Sequence, residues 1–470
     1  MSTLVLCTCS TELNLLLKNS RISNDGVFAI YGLERDNVNI GQTSILLNEM
    51  HQIATLPFEV KRIIFVGSPS VDQFRETIFQ TLNHAVSSIY VFYQNRLTLI
   101  SDHFSNQRRK RKTVFLIYPG KLFPIRNGSA MRCFDIAVSL CAKTDLTILI
   151  PSSVNIPKKF RTLLYAMGIS FQSYQTNLIA RIQNKVLTFL LRSIRRKNDY
   201  LPTFIRLLAC KMSNKDIHSI NKMNPDVLIC SYIWTYDKRF QIEKLFVDTH
   251  DVMQDRAASI LTNSAFDRWL LNKEKETENA ILESGKSFVA ISKKDYNRFR
   301  ELSRTSKLKY APPSFKWISP IAKTENSNLR VGFFGGRMQA NVEALNVSLQ
   351  QLKEIGFFLA GGTFVVAGDV ARFIDSSEPN IIKLGYVKSP EMFYKFVDVV
   401  FAPITVKGGL NFKIFEALAA QRPVITNNIG AEEFKFHSTS KNLYISETTT
   451  ELKDAIETIF RIQLKPSQSL

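Results

Sequence analysis

No stretch of this chain approaches the ~20 consecutive apolar residues that a membrane-spanning helix requires. The opening residues, MSTLVLCTCSTELNLLL, carry neither a basic leader nor a small-residue cleavage site and do not read as a signal peptide. Cysteine is scarce, six in 470 residues, and only Cys7 and Cys9 stand close together. That excludes a disulfide framework. Cys-Thr-Cys is also too tight and too isolated for a zinc site, so buried thiols and a cytoplasmic location are expected. Acid is the other shortage: 41 Asp and Glu face 61 Lys and Arg, a net charge of +20. Such an excess suits nucleic acid or an anionic membrane surface. No nucleic-acid signature accompanies the basic blocks, Asn106 to Lys112 and Arg181 to Lys211, so a membrane partner and no nucleic acid is the expectation.

What is present is alternation of strand and helix, the pattern of an α/β protein. Residues 1–104 read as a small α/β domain of unknown role, with strands at Thr3–Leu6, Val27–Tyr31, Arg62–Val66, Ser88–Phe92 and Leu97–Ile100. Helices are expected between them, around Thr43–Ile53 and Val71–His84. A basic linker follows at 105–112, suited to acidic headgroups. A second α/β domain then runs over 113–322 and a third over 323–447. In the tail, 448–470, helical periodicity spans Thr449–Arg461.

The most telling stretch is Phe401–Glu432. A strand-like run arrives at Gly408-Gly409, Leu410 follows, and a helix then carries Lys413 and Glu416 on one side, one turn apart. Glycines before a helix let backbone approach a ligand, and the free N–H groups of the helix attract anions. A cation followed by a carboxylate suits a sugar nucleotide, diphosphate first and ribose second. An exposed i, i+3 ion pair on a connector explains the same spacing. Arg330–Phe334 followed by Gly335-Gly336-Arg337 again sets backbone beside a cation. Asn127-Gly128-Ser129 is an anion-binding corner or a plain N-cap turn. His250, in Val-Asp-Thr-His-Asp at the end of a strand, is the histidine best placed for chemistry; a structural bond to its flanking aspartates is the competing account. Leu178–Lys211 is apolar on one side and basic on the other. It reads as an interfacial helix pair inserting Phe189, Leu190 and Leu191 beside Arg192, Arg195 and Arg196, or as ordinary surface helices.

Gly-Gly-Leu-x-x-Lys-x-x-Glu-Ala-Leu-Ala-Ala-x-Arg-Pro-Val, followed by Gly-Ala-Glu, resembles the nucleotide-sugar site of retaining glycosyltransferases of family 4, the glycosyl transferases group 1. The resemblance covers most of residues 113–460. It implies the GT-B fold, two Rossmann-like domains facing each other across a cleft, here preceded by the small α/β domain. It makes Glu416 the second glutamate of a Glu-x7-Glu motif, on the donor ribose, while the first falls at Gly408, where this chain departs. It sets Arg337 on the donor phosphates, Val387 at the nucleobase, Gly128 near the diphosphate, and the tail helix across to the first transferase domain. The implied activity is metal-independent transfer, with no cofactor, from a nucleoside-diphosphate sugar, UDP-linked by expectation. His250, Arg337 and Lys413 are the catalytic candidates; Gly336, Gly408, Gly409 and Leu410 join the donor site. The acceptor would be a glycan or lipid-linked glycan in polysaccharide synthesis at the inner face of the plasma membrane. A degenerate, non-catalytic relative that stabilises a partner enzyme is the alternative, kept by Gly408 and the extra N-terminal domain.

Overall fold

The computed structural model describes residues 3–7, 28–31, 44–47, 56, 60–66, 69, 71–82, 86–93, 96–101, 111–125, 127–195, 200–303, 307–315, 329–374, 380–387, 390–436 and 441–464. The chain forms two compact units, Met1–Leu178 with Cys210–Phe246, and Ile179–Ala209 with Val247–Leu470.

The first unit opens with a six-stranded sheet. Its spatial order is Ser44–Leu47, Phe28–Tyr31, Thr3–Cys7, Arg62–Val66, Ser88–Tyr93 and Arg96–Leu99. Every pair is parallel except the last. The helix expected over Thr43–Ile53 is corrected here: Ser44–Leu47 is an edge strand paired with Phe28–Tyr31. A run of three apolar residues, Ile45 to Leu47, fits either period, and pairing with Phe28–Tyr31 makes it a strand. Helix Val71–Gln80 packs Phe74 and Ile78 inward, and Arg75 reaches Asp135 of helix Gly128–Cys141 at 2.9 Å. Four further parallel strands follow in the order Val227–Ser231, Lys112–Ile117, Thr144–Pro151 and Ser170–Tyr174. Of the basic linker, only Arg111 and Lys112 lie within the described residues. Arg111 is no headgroup ligand: its guanidinium binds the carbonyls of Cys141 and Thr144 and lies 3.3 Å from Asp145. Two short segments form a stem. Asn177 N–H donates to the Lys211 carbonyl at 2.8 Å, and Ser213 N–H to that of Gln175 at 2.8 Å. The chain between them is the excursion that carries helices Leu178–Ile194 and Thr203–Cys210.

The second unit is built on a wholly parallel six-stranded sheet, ordered Ile381–Gly385, Thr363–Ala367, Arg330–Phe334, Val399–Phe401, Val424–Thr426 and Leu443–Ile445. The first three strands in sequence run outward one way and the next three the other. The order therefore reverses between Arg330–Phe334 and Val399–Phe401, and the loops leaving those strands flank the crevice where such sheets bind ligands. Val331, Phe333, Phe364, Val366 and Phe401 form the core, and helix Thr449–Phe460 adds Leu452, Ala455 and Ile456 to it. The described part of the tail helix thus stays with this sheet, tied at its start by a Thr448–Glu451 capping box.

Helix Ala265–Leu282 holds three other segments through carboxylates with almost no exposure. Asp267 meets Arg195 at 3.0 Å, and Glu274 accepts from Tyr200 Oη and Thr203 N–H, both at 2.7 Å. Glu278 accepts from Met253 and Gln254 N–H, at 2.8 and 2.9 Å, and so caps helix Met253–Ile260. Burial pushes the Glu278 carboxyl up to about 8 against those bonds.

Candidate functional site

At the switch point, Arg330–Phe334 ends in Gly335-Gly336 and helix Gln339–Glu354 begins just beyond. Gly336 faces open space and Arg337 is exposed. Asn341 donates its amide to the Gly336 carbonyl at 3.1 Å and offers Oδ1 to Lys413 Nζ at 3.4 Å. This side chain therefore joins the Arg337 loop to the helix that carries Lys413. The Lys413 ammonium also sits 5.0 Å from the centre of the Phe333 ring. Desolvation in this half-buried position lowers it from 10.5 to about 8.

The second strand of the switch point, Val399–Phe401, leads through Ala402–Leu410 to helix Phe412–Ala419. Asn411 stands at its N-cap and makes no side-chain cap bond. Gly408 and Gly409 have φ of +141° and +56°, values that L side chains rarely adopt. Their shape answers to a neighbour: a Cβ on Gly409 would collide with the Asp251 carboxylate and stand 2.5 Å from the His250 carbonyl. The turn after strand Leu245–Thr249 therefore lies directly on the glycine turn, bringing His250 and Gly408–Gly409 together. His250 itself is buried, with Nε2 3.6 Å from Asp248 Oδ2, longer than a hydrogen bond. Asp251 Oδ2 is 2.6 Å from Arg256 Nη1.

Glu416 is only 6% exposed, so the exposed i, i+3 ion pair is not what forms. Its Oε2 accepts from the hydroxyl of wholly buried Tyr394 at 3.1 Å. Burial raises the carboxyl to about 7 and the Tyr394 bond pulls the other way. Ile414 and Ala417 anchor the helix, while Phe415 stacks between Phe315 and Phe434.

Val387 lies in the loop after Ile381–Gly385, on the outer side of Thr363–Ala367. Gly128 belongs to the first unit, as the first residue of helix Gly128–Cys141; Asn127 Oδ1 accepts there from Ala130 N–H at 2.8 Å, the N-cap geometry. The sequence reading gave no part to Asn341, Arg256 or Tyr394 and named Asp251 only as a flank of His250; Asn341, Asp251 and Tyr394 meet residues distant in the chain. It also missed Glu433, which accepts from the N–H groups of Lys293 and Lys294 at 2.5 and 3.0 Å; Glu432, the last residue of the Gly-Ala-Glu run, is 2.7 Å from Lys294 Nζ.

Helix Leu178–Ile194 is apolar on two sides. Leu187 and Leu191 pack with Ile205 and Leu270, which corrects the expectation that Leu191 faces outward. Ile179, Ile182, Val186, Phe189, Leu190 and Ile194 are all at least half exposed, Phe189 at 71%. Arg181, Lys185 and Arg192 are exposed along one border of that stripe. Arg195 is instead turned inward to Asp267, and Arg196 lies outside the described residues.

Residues 329–461 match the family model described as glycosyl transferases group 1. The solved structure of TarM is similar to this chain with a TM-score of 0.50 at 12% identity, over 75% of this chain and 92% of that one. The fold is GT-B. HepE from Anabaena, solved with UDP and glucose, is similar at 14% identity and a TM-score of 0.49, over 74% of this chain and 90% of that one. WaaG, a glycosyltransferase involved in lipopolysaccharide biosynthesis, stands at 12% and 0.49, over 74% and 90%. At these identities the likeness is one of fold. No curated protein matches the chain.

Proposed function

We propose that this GT-B protein moves a sugar from a nucleoside-diphosphate sugar, UDP-linked by preference, to a glycan or lipid-linked glycan. The observation that carries the reading is the cluster at the switch point. Lys413, Asn341 and the Gly336–Arg337 loop meet there beside the Gly408–Gly409 turn, inside the stretch that matches the transferase family.

Breaking the anomeric C–O bond builds charge on the leaving diphosphate while the sugar becomes oxocarbenium-like. Positive groups already in place lower that barrier, and no metal is needed for it. Lys413 and Arg337 supply them, with the backbone of Gly408 to Leu410 closing around the phosphates. Lys413 arrives poorly hydrated, so a diphosphate beside it raises its proton affinity and gains a strong charge-assisted contact. Glu416 takes the ribose hydroxyls, and Tyr394 aims its carboxylate. His250, against the glycine turn, faces the donor sugar. Retention of configuration follows the family resemblance.

The exposed apolar stripe bordered by Arg181, Lys185 and Arg192 supports a peripheral seat on an anionic membrane, where a lipid-linked acceptor presents its sugar. A second reading, a non-catalytic relative acting as a partner's stabiliser, rests on Gly408 standing where the motif has glutamate. Incubation with a panel of UDP- and GDP-sugars, with and without acceptor glycans, tests the proposal. Hydrolysis or transfer from one of them supports the enzyme; nucleotide binding with no turnover of any donor favours the second reading.

A further inference from the structure

We infer that Asp251, paired with Arg256, reads a hydroxyl of the donor sugar and selects which sugar nucleotide is used. The inference rests on the proposed transferase reaction. Asp251 Oδ2 is committed to Arg256 Nη1 at 2.6 Å, while Oδ1 is turned to the glycine turn. A Cβ on Gly408 would stand 3.5 Å from that Oδ1, and one on Gly409 would overlap it. The carboxylate therefore borders the turn that heads the Lys413–Glu416 helix. The motif's first glutamate would start from Gly408, so Asp251 brings a carboxylate to the place this departure leaves without one.

The charge balance suits a sugar rather than a phosphate. A bare carboxylate beside a diphosphate would repel it, and the Arg256 guanidinium offsets that charge while leaving acceptor lone pairs for hydroxyls. The turn is also held on both sides. Thr249 Oγ1 donates to the Val289 carbonyl at 2.9 Å, and buried Glu278 takes the N–H groups of Met253 and Gln254. A carboxylate fixed in this way can discriminate, because a site built around one hydroxyl leaves its own polar group unpaired when that hydroxyl is absent.

Asp251→Asn keeps the size of the side chain, and three measurements on the full-length protein test the role. They are UDP affinity by calorimetry, kcat/KM for UDP-glucose, UDP-galactose and UDP-N-acetylglucosamine, and kcat/KM for deoxy analogues of the preferred donor. We expect unchanged UDP affinity, a fall of about 10- to 100-fold in kcat/KM for the preferred donor, and a flattened ranking of the three sugars. The deoxy analogue that loses most in the wild type should lose little more in the variant. Wild-type kcat/KM and an unchanged ranking would overturn the inference. So would a loss of UDP affinity in parallel with kcat/KM, which marks a structural residue. A wild type that binds UDP yet cleaves no sugar nucleotide removes the transferase reading itself, and the inference with it.

Discussion

Replacing Glu416 with Gln should make the fold more stable at pH 8 while weakening its hold on a nucleotide. Burial lifts this carboxyl from 4.5 to about 7, so keeping it ionised costs the folded chain about 3 kcal/mol once the pH exceeds 7. Between those values the folded chain keeps a proton that the unfolded chain has released. Stability from this group is whole below pH 4.5 and is lost as the pH rises through 7. Glutamine avoids that cost and still accepts the Tyr394 hydroxyl, so urea melts should show a gain about 2 kcal/mol larger at pH 8 than at pH 5. The ribose, in turn, loses a charged acceptor, which should raise the Kd for UDP by roughly 10- to 100-fold. Calorimetry with UDP at pH 8 reads that half. An equal gain at both pH values would refute the burial argument, and unchanged UDP affinity would show that the carboxylate serves the fold alone.

Lys413→Ala and Arg337→Ala should each lower kcat more than they raise KM, because their target gains charge in the transition state; wild-type turnover in both variants would show the clamp is misplaced. With desolvation lowering the Lys413 ammonium to about 8, wild-type kcat/KM should fall above that pH, and the Lys413→Ala profile should lack that limb. Gly409→Ala forces a side chain onto Asp251 at φ +56° and should cost ~1–3 kcal/mol in urea melts, where a wild-type midpoint would contradict the packing described. Co-sedimentation with anionic liposomes should be lost on reversing Arg181, Lys185 and Arg192 to Glu. Salt alone should weaken it only in part, since Phe189 and Ile182 insert; protein left in the supernatant at low salt would end the membrane reading.

Most strands in this chain are legible because each is a short apolar run bounded by turn residues, and the glycine turn is legible because two adjacent glycines before a helix have few other uses. Ser44–Leu47 departs from the expected helix because three apolar residues after a serine do not distinguish a helix turn from an edge strand. Glu416 shows a different limit. Its spacing from Lys413 fits both a sugar-nucleotide site and an exposed ion pair, and the bond from Tyr394, in another helix, goes with the buried position that excludes the second. Arg195 and Leu191 look from the sequence like their neighbours on the basic stripe, and only the packing of helix Ala265–Leu282 separates them from it. Asp251 figures in the sequence only as a flank of His250, because its contact is with a glycine turn more than 150 residues later.

The stem at Gln175–Asn177 and Lys211–Ser213 has a consequence for how this protein can change. The two ends of the excursion are bonded side by side, so the chain between them closes on itself and can lengthen at little entropic cost. What it must keep is small: an arginine for Asp267, a tyrosine and a helix start for Glu274, and an apolar side for Leu270. The exposed apolar side chains of helix Leu178–Ile194, such as Ile182, Val186 and Phe189, take no part in those contacts. Residues can therefore be inserted or exchanged within this one cassette while the sheet that carries the candidate donor site is left as it is.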